Sequence, residues 1–365
     1  MIDVSGQDKR IESIEEIKAL GMPIFVWGGS TYGGVIKQYL RENGIKVDIR
    51  FVVDDEYYTA GDFMPLSTFL ERYADNSIMI FGFYNYKVIQ KKREVYSDKI
   101  KHLYDFHFTS LGSNRLKWDK QDVISNLEGY RKTYEMLSDI KSKRTMELYL
   151  RAAVNGEFDK LFNECHSDIS YFNEITEKQK IDILVDCGAF DGDSIHDFVN
   201  VFNDYEKIYA FEPDLSNRKR LEERIKNEVI KNVEVVPYGA YKENTTLYFS
   251  NDGESSSHLD DDGVAIEVTT IDQYGRDVFT GKSVLIKMDI EGSEMDALYG
   301  AQNTISNYHP CLTICVYHKE HDLIDIPQYI SSLVGDGVYD YYLGFHGLDL
   351  AELVFYAVPS KQIVV

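Results

Sequence analysis

Three acids and a histidine in the second half of this chain each follow a short apolar run. Asp186 follows Ile183-Leu184-Val185, and Glu212 follows Ile208-Tyr209-Ala210-Phe211. Asp289 ends Val284-Leu285-Ile286-Lys287-Met288, and His318 ends the run from Cys311 to Tyr317. Carboxylates accept hydrogen bonds and protons, and an imidazole exchanges a proton near neutral pH. Two more acids, Asp191 and Asp193, lie with Gly188 and Gly192 in the pattern D-x-G-x-x-x-G-D. A pyrophosphate site asks for the closer glycines of G-x-G-x-x-G. Carboxylates at Asp186, Asp191 and Asp193 would repel a phosphate and suit a cationic ligand.

These residues need elements to hold them. Ile183 to Asp186 reads as a buried parallel strand, and the glycines allow a tight turn close to a ligand. Ile195, Phe198, Val199 and Phe202 then recur at helical spacing. Glu212 follows the loop by about 20 residues, where an acid accepts hydrogen bonds from ribose hydroxyls. Asp214 can cap the next helix, which carries Leu221 and Ile225. Asp186, Glu212, Asp289 and His318 thus fall at carboxyl ends of expected strands, the edge where open α/β sheets bind ligands. S-adenosylmethionine, with sulfonium and ammonium cations and a ribose, matches these groups.

The ordered segments VDCGAFDGDS, AFEPD, VTTIDQY, LIKMDIEGSEMDALYGA and VYHKEHDL resemble the FkbM-type S-adenosylmethionine-dependent methyltransferases, over roughly residues 165 to 359. The resemblance implies a class I fold: a seven-stranded, mostly parallel sheet with one antiparallel strand near its end. It also implies S-adenosylmethionine as cofactor and a hydroxyl of a sugar, polysaccharide or natural product as acceptor. On this reading Asp186, Gly188, Ala189, Phe190, Asp191, Gly192, Asp193, Ser194, Glu212, Pro213 and Asp289 surround the cofactor, with Tyr238, Gly239 and Ala240 near its adenine. Relatives often carry an Arg-His pair after the strand expected at Tyr339 to Leu343. This chain has Gly344-Phe345-His346 there.

The residues around these motifs agree with an alternating α/β chain. Val233 to Pro237, Leu247 to Ser250, Val264 to Thr270 and Leu353 to Val358 read as further strands, and Leu323 to Val334 as a helix that tolerates Pro327 only near its first turn. The polar loop Asn251 to Gly263 reads as a lid or a solvated hairpin connection. In an extended chain Lys287, Asp289 and Glu291 share one face. Ser293 with Asp296 resembles a capping box. Methyl transfer to a hydroxyl needs in-line approach and a base. His318 is the expected base, Asp289 or Glu291 the orienting or alternative one, and Lys287 a further candidate in the catalytic group. No compact ligand set demands a metal.

The first half has its own strand-loop-helix unit. Pro23 to Trp27 leads into Gly28-Gly29-Ser30-Thr31-Tyr32-Gly33-Gly34 and a helix through Val35, Ile36, Tyr39 and Leu40. Further strands are expected at Ile49 to Val53, ending at Asp54-Asp55, and at Ile78 to Phe81. This is a smaller Rossmann-like module, for docking or for a nucleotide-sugar. The expected organisation is residues 1–112 for this module, 113–178 for a helical connector and 179–365 for the methyltransferase domain. At 365 residues, with 44% hydrophobic residues and a net charge of −22, the chain can hold about two domains and does not suit nucleic acid. It has no membrane span. Cys165, Cys187, Cys311 and Cys315 form no secretory framework, which points to a reducing, cytoplasmic setting. A small-molecule or glycan acceptor is expected, and a homo-oligomer is compatible. The rival readings are an NAD(P)-dependent oxidoreductase acting on a nucleotide sugar and a non-catalytic protein that binds S-adenosylmethionine or a nucleotide.

Overall fold

The computed structural model describes residues 2–59, 61–107, 120–249, 264–275 and 278–360. Two sheets organise them. The first comprises β1 (Ile24–Trp27), β2 (Ile49–Val53), β3 (Phe63–Pro65), β4 (Ile78–Phe81) and β5 (His102–Tyr104), in the order β3-β2-β1-β4-β5 and parallel throughout. The expected strands at 24–27, 49–53 and 78–81 are present. The three-residue strands β3 and β5 are too short to give an alternation readable in sequence. The helix after β1 begins at Thr31, inside the glycine run, so Gly33 and Gly34 belong to its first turns.

The second sheet begins with β6 (Ile183–Cys187), β7 (Lys207–Phe211) and β8 (Val233–Val236). A side sheet, ordered β10-β11-β9, follows from β9 (Gly239–Ala240), β10 (Thr245–Phe249) and β11 (Val264–Thr269). The large sheet resumes with β12 (Val284–Met288), β13 (Cys311–Cys315), β14 (Tyr339–Phe345) and β15 (Leu353–Pro359). Its order is β14-β15-β13-β12-β6-β7-β8, and β15 runs antiparallel to both neighbours. β6, β12 and β13 are buried along their whole length, as their unbroken apolar runs require of strands covered on both faces.

The connector helices Lys120–Ser125, Leu127–Met136, Ile140–Asn155 and Phe158–Cys165 close the β14 edge. Leu343 N donates to Ser142 Oγ and Tyr341 N to Ser138 Oγ, both at 3.0 Å, so side chains satisfy amides that a bare edge would expose. Phe158 stacks on His107 at 4.3 Å between ring centroids and packs edge-on against Phe345 at 5.9 Å. One core therefore runs from the first sheet through these helices into the second. The expected helical connector stops at Cys165; residues 166–181 form no helix and fold back over the second sheet.

Two local expectations are corrected. Ser293 makes no side-chain cap bond, so no capping box forms. The helix it precedes ends after Tyr299, where Gly300 lies against Tyr241 O, 1.9 Å from an ideal Cβ. Pro327 sits in the second turn of the helix Asp322–Val334, beyond the first turn expected to tolerate it. The loop Asn251 to Gly263 lies outside the described residues. Among the described residues no helix is long and apolar enough to cross a membrane, and all four cysteines are free and buried.

Candidate active site

The glycine loop is held from beneath by an ion pair. Lys287 and Asp186 are partners in the β12–β6 register, and their side chains, 3% and 0% exposed, meet at 3.1 Å. Lys287 Nζ also donates to Gly188 O at 2.8 Å, and Ser194 Oγ donates to Asp186 Oδ2 at 2.5 Å. Burial works against the Lys287 charge, but Asp186 and Asp289 outweigh it and hold the ammonium protonated, above the ordinary lysine range. Asp186 and Lys287 therefore hold both ends of the loop. Gly188 has φ +80°, and a Cβ there would lie 2.0 Å from Asp289 O. Only glycine lets the two strand ends meet.

Five amides of the loop and the helix start bond within the chain. Gly188 N and Ala189 N donate to Phe211 O at 3.0 Å, Phe190 N to Glu212 Oε2 at 3.0 Å, and Gly192 N to Ala189 O at 2.7 Å. Ser194 N donates to Asp193 Oδ1 at 2.7 Å. Asp191 turns outward to Arg224, whose Nε donates to Asp191 O at 2.8 Å and whose guanidinium is 3.1 Å from its carboxylate. Asp193 is exposed at the start of its helix, and Phe190 is half exposed beneath Arg220. The three loop acids thus do not surround one point, because Lys287 and Arg224 each take one.

Glu212 is the acid of the next strand end. It is 5% exposed, and its Oε1 accepts from Asp214 N at 2.8 Å and Asn217 Nδ2 at 3.3 Å. Burial raises its pKa, and the amide donors oppose that rise. Asp214 caps the following helix as expected, accepting from Asn217 N at 2.8 Å. Tyr238, Gly239 and Ala240 come alongside: a Cβ on Gly239 would be 3.7 Å from Pro213 Cγ.

Beyond β12 and β13 lies a tighter acidic cluster. Glu291 takes φ +55°, a left-handed turn that ends the extended alternation expected of Lys287, Asp289 and Glu291. His318, 9% exposed, points Nε2 at Asp289 Oδ1 (3.6 Å) and Glu291 Oε2 (3.7 Å), while Nδ1 meets Glu294 Oε1 at 2.9 Å. Burial disfavours its charge, yet Glu294, Asp289 and Glu291 together push its pKa up to about 10. That protonated state does not suit the proton acceptor expected at this position. Burial raises Asp289, but Lys287, His318 and a hydrogen bond from Tyr171 outweigh it and keep the carboxylate ionised. Glu291 is pushed to about 7, chiefly by burial and with help from Asp289 and Glu294 against the pull of His318.

Sequence reasoning missed several members of this cluster. Tyr171, in the segment that folds back over the sheet, donates its hydroxyl to Asp289 Oδ2 at 2.8 Å. Glu294 is fully buried and accepts from Ile290 N at 2.9 Å. Glu352 accepts from the Tyr317 hydroxyl at 3.2 Å and is pushed to about 7, by burial first and then by Asp289. The acid in EGSE, one turn beyond the expected strand end, was a readable signal for Glu294; nothing local marked Tyr171. His346 does not reach this cluster. It lies between Ser167 O (3.0 Å) and the Tyr356 hydroxyl (2.8 Å), and burial depresses its pKa to about 4.

The first sheet arranges its glycine loop differently. A Cβ on Gly28 would be 2.6 Å from Gly82 O, on Gly29 2.4 Å from the Phe63 ring, and on Gly33 2.1 Å from Gly28 O. The chain's own packing accounts for these glycines. At the second sheet the groups suit S-adenosylmethionine better than a dinucleotide. Glu212 is a buried carboxylate after β7, and the ionised Asp289 adjoins the glycine loop.

Residues 186–336 match the Methyltransferase FkbM domain. The whole chain is similar in fold to an FkbM methyltransferase from Methylobacillus flagellatus KT, with 22% sequence identity over 94% of this chain and 93% of that one, at a TM-score of 0.73. Shorter likenesses include an rRNA methylase from Streptococcus thermophilus (15% identity, 50% of this chain, 89% of that one, TM-score 0.32) and Aeropyrum pernix fibrillarin with natively bound S-adenosyl-L-methionine (11%, 50%, 68%, 0.32). No curated protein matches the chain.

Proposed function

For a chain whose residues 186–336 form an FkbM methyltransferase domain, with S-adenosylmethionine as its cofactor, we propose that the methyl acceptor is a hydroxyl of a sugar or glycan. Bound S-adenosylmethionine supplies an electrophilic methyl group on its sulfonium. The observation that carries the reading is the cluster of Asp289, Glu291 and His318, one strand end from the glycine loop. A hydroxyl is almost un-ionised at neutral pH and reacts only if a positioned group takes its proton. Glu291 is the best-placed proton acceptor: it is 42% exposed at the mouth of the cluster, with its Oε2 3.7 Å from His318 Nε2. Asp289 is ionised and held on one oxygen by Tyr171, which leaves the other turned toward His318. The charged His318 keeps both carboxylates in place, and Lys287 keeps Gly188 in place.

The test is transfer of labelled methyl to a panel of monosaccharides, nucleotide sugars and polysaccharide. Glu291→Gln is expected to lower kcat at least tenfold with little change in cofactor affinity. Full activity in that variant would remove Glu291 as base, and labelling only of amines or carboxylates would sink the hydroxyl reading. We read the first sheet with its connector as a docking and packing module, since its glycine loop is filled by its own chain.

A further inference from the structure

His318 is held on one side of its ring and left unpartnered on the other. Its Nδ1 meets Glu294 Oε1 at 2.9 Å, and the same oxygen accepts from Ile290 N at 2.9 Å. Glu294 is fully buried. The turn after β12 therefore anchors the carboxylate, and the carboxylate fixes the ring. The opposite nitrogen, Nε2, is buried and makes no hydrogen bond among the described residues. It lies 3.6 Å from Asp289 Oδ1 and 3.7 Å from Glu291 Oε2. Both gaps exceed the ~2.9 Å of an N–H···O bond, so Nε2 faces two carboxylate oxygens without being bonded to either. A buried donor seldom stays unpaired.

The surroundings settle where the protons are. Nδ1 donates to Glu294, which leaves Nε2 to be protonated or bare. Asp289 and Glu291 favour a proton there, because each places negative charge beside it. Asp322, at the start of the next helix, and Glu352, just before β15, add to that field. The Tyr317 ring packs alongside at 4.1 Å between centroids. Lys287 acts on Asp289 from β12 but is paired with Asp186. The ring is charged at neutral pH, and Nε2 carries a proton with no acceptor of its own.

We infer that Glu294 is a positioning residue, which presents His318 Nε2–H as a hydrogen-bond donor to the oxygen of the acceptor hydroxyl beside Asp289 and Glu291. The inference rests on the hydroxyl acceptor proposed above. A hydroxyl has one proton to give and lone pairs that receive, and this corner supplies one donor next to a carboxylate that accepts. In the transfer the hydroxyl proton passes to Glu291. The oxygen bonds to the methyl carbon, and the carbon–sulfur bond breaks with its electron pair left on sulfur. His318 keeps its proton throughout; its positive charge at the oxygen eases loss of the hydroxyl proton.

The test is a nuclear magnetic resonance titration of the full chain labelled at histidine, with the His318 signal assigned by its loss in His318→Gln. In the parent His318 is expected to be charged at pH 8, where a free imidazole is neutral. Glu294→Gln keeps an oxygen for Ile290 N and removes the charge, so it should weaken proton binding by His318 at least tenfold. The alkaline limb of kcat/KM, measured with the best sugar acceptor of the panel, should move to lower pH in the same variant, with S-adenosylmethionine affinity within twofold. A neutral His318 at pH 8 in the parent overturns the inference without any variant. A titration and an alkaline limb that are the same in parent and Glu294→Gln overturn it too, since a merely structural Glu294 would leave both unmoved. A charged His318 in a chain that binds S-adenosylmethionine yet methylates no hydroxyl would leave the Glu294–His318 pair standing and count against the hydroxyl acceptor instead.

Discussion

Both sheets of this protein place a glycine loop where the strand order reverses, and in both the loop touches the end of the adjacent strand. In the first sheet Gly28 lies against Gly82 O; in the second Gly188 lies against Asp289 O. The glycines are therefore alike, and the difference lies in what surrounds them. At the end of β1 and β4, Trp27 and Phe81 are register partners and stack at 5.7 Å. One residue before the end of β6 and β12 the partners are Asp186 and Lys287. Asp54, which ends β2, is neutralised by Lys92 at 2.7 Å, and Lys92 lies over the Trp27 ring. Glu212, which ends β7, accepts only from amides. A glycine turn permits close approach, and the neighbouring strand ends decide whether any chemistry results.

The largest effect that separates the two loops should come from the backbone contacts. Gly188→Ala forces a Cβ onto Asp289 O at a positive φ and is expected to cost about 3 kcal/mol or more and to abolish cofactor binding. Gly28→Ala should also destabilise the chain, yet leave cofactor affinity unchanged in whatever fraction stays folded. Denaturant unfolding and calorimetry on the two variants check this.

The two cations should differ next. Lys287→Met leaves Asp186 buried without its partner and should cost about 3–5 kcal/mol, partly recovered by adding Asp186→Asn. Lys92→Met, at a more exposed pair, should cost about 1 kcal/mol. Equal losses would mean that the Asp186–Lys287 pair is no more structural than a surface one.

A pH difference sharpens the contrast between the buried imidazoles. His346 has a folded-state pKa of about 4 against an ordinary 6.5. Its contribution to stability is therefore complete above about pH 6.5 and is lost as pH falls toward 4, because the unfolded chain takes up the proton first. The loss is on the order of 3 kcal/mol. In His346→Gln the fall in unfolding midpoint between pH 7 and pH 5 should be smaller than in the parent chain. His318 has the opposite sign: its raised value keeps it charged across the same range.

The acids at the strand ends were legible in the sequence because apolar runs set where β6, β7 and β12 end, and the residue after such a run has a fixed place on the sheet edge. The second sheet's seven strands and its one antiparallel strand were legible only through the family resemblance, and its strand order was not. Other features depended on contacts that no local pattern records. Tyr171 meets Asp289 from an irregular segment more than a hundred residues earlier in the chain. Glu291 leaves the period-two face because its backbone turns left-handed, and His318 is kept protonated by three carboxylates that follow β12. The N-terminal glycine run looked open for a ligand because the residues that fill it, Phe51, Phe63 and Phe83, are distant in sequence.

Calorimetric titration of the full chain with S-adenosylmethionine, in the parent and in Glu212→Gln and Asp54→Asn, decides which of the two sheets holds the cofactor. One site per chain is expected, weakened at least tenfold by Glu212→Gln, about 1.4 kcal/mol, and unchanged by Asp54→Asn. Binding that survives Glu212→Gln and is lost with Asp54→Asn, or binding of NAD(P) in place of S-adenosylmethionine, would contradict that expectation.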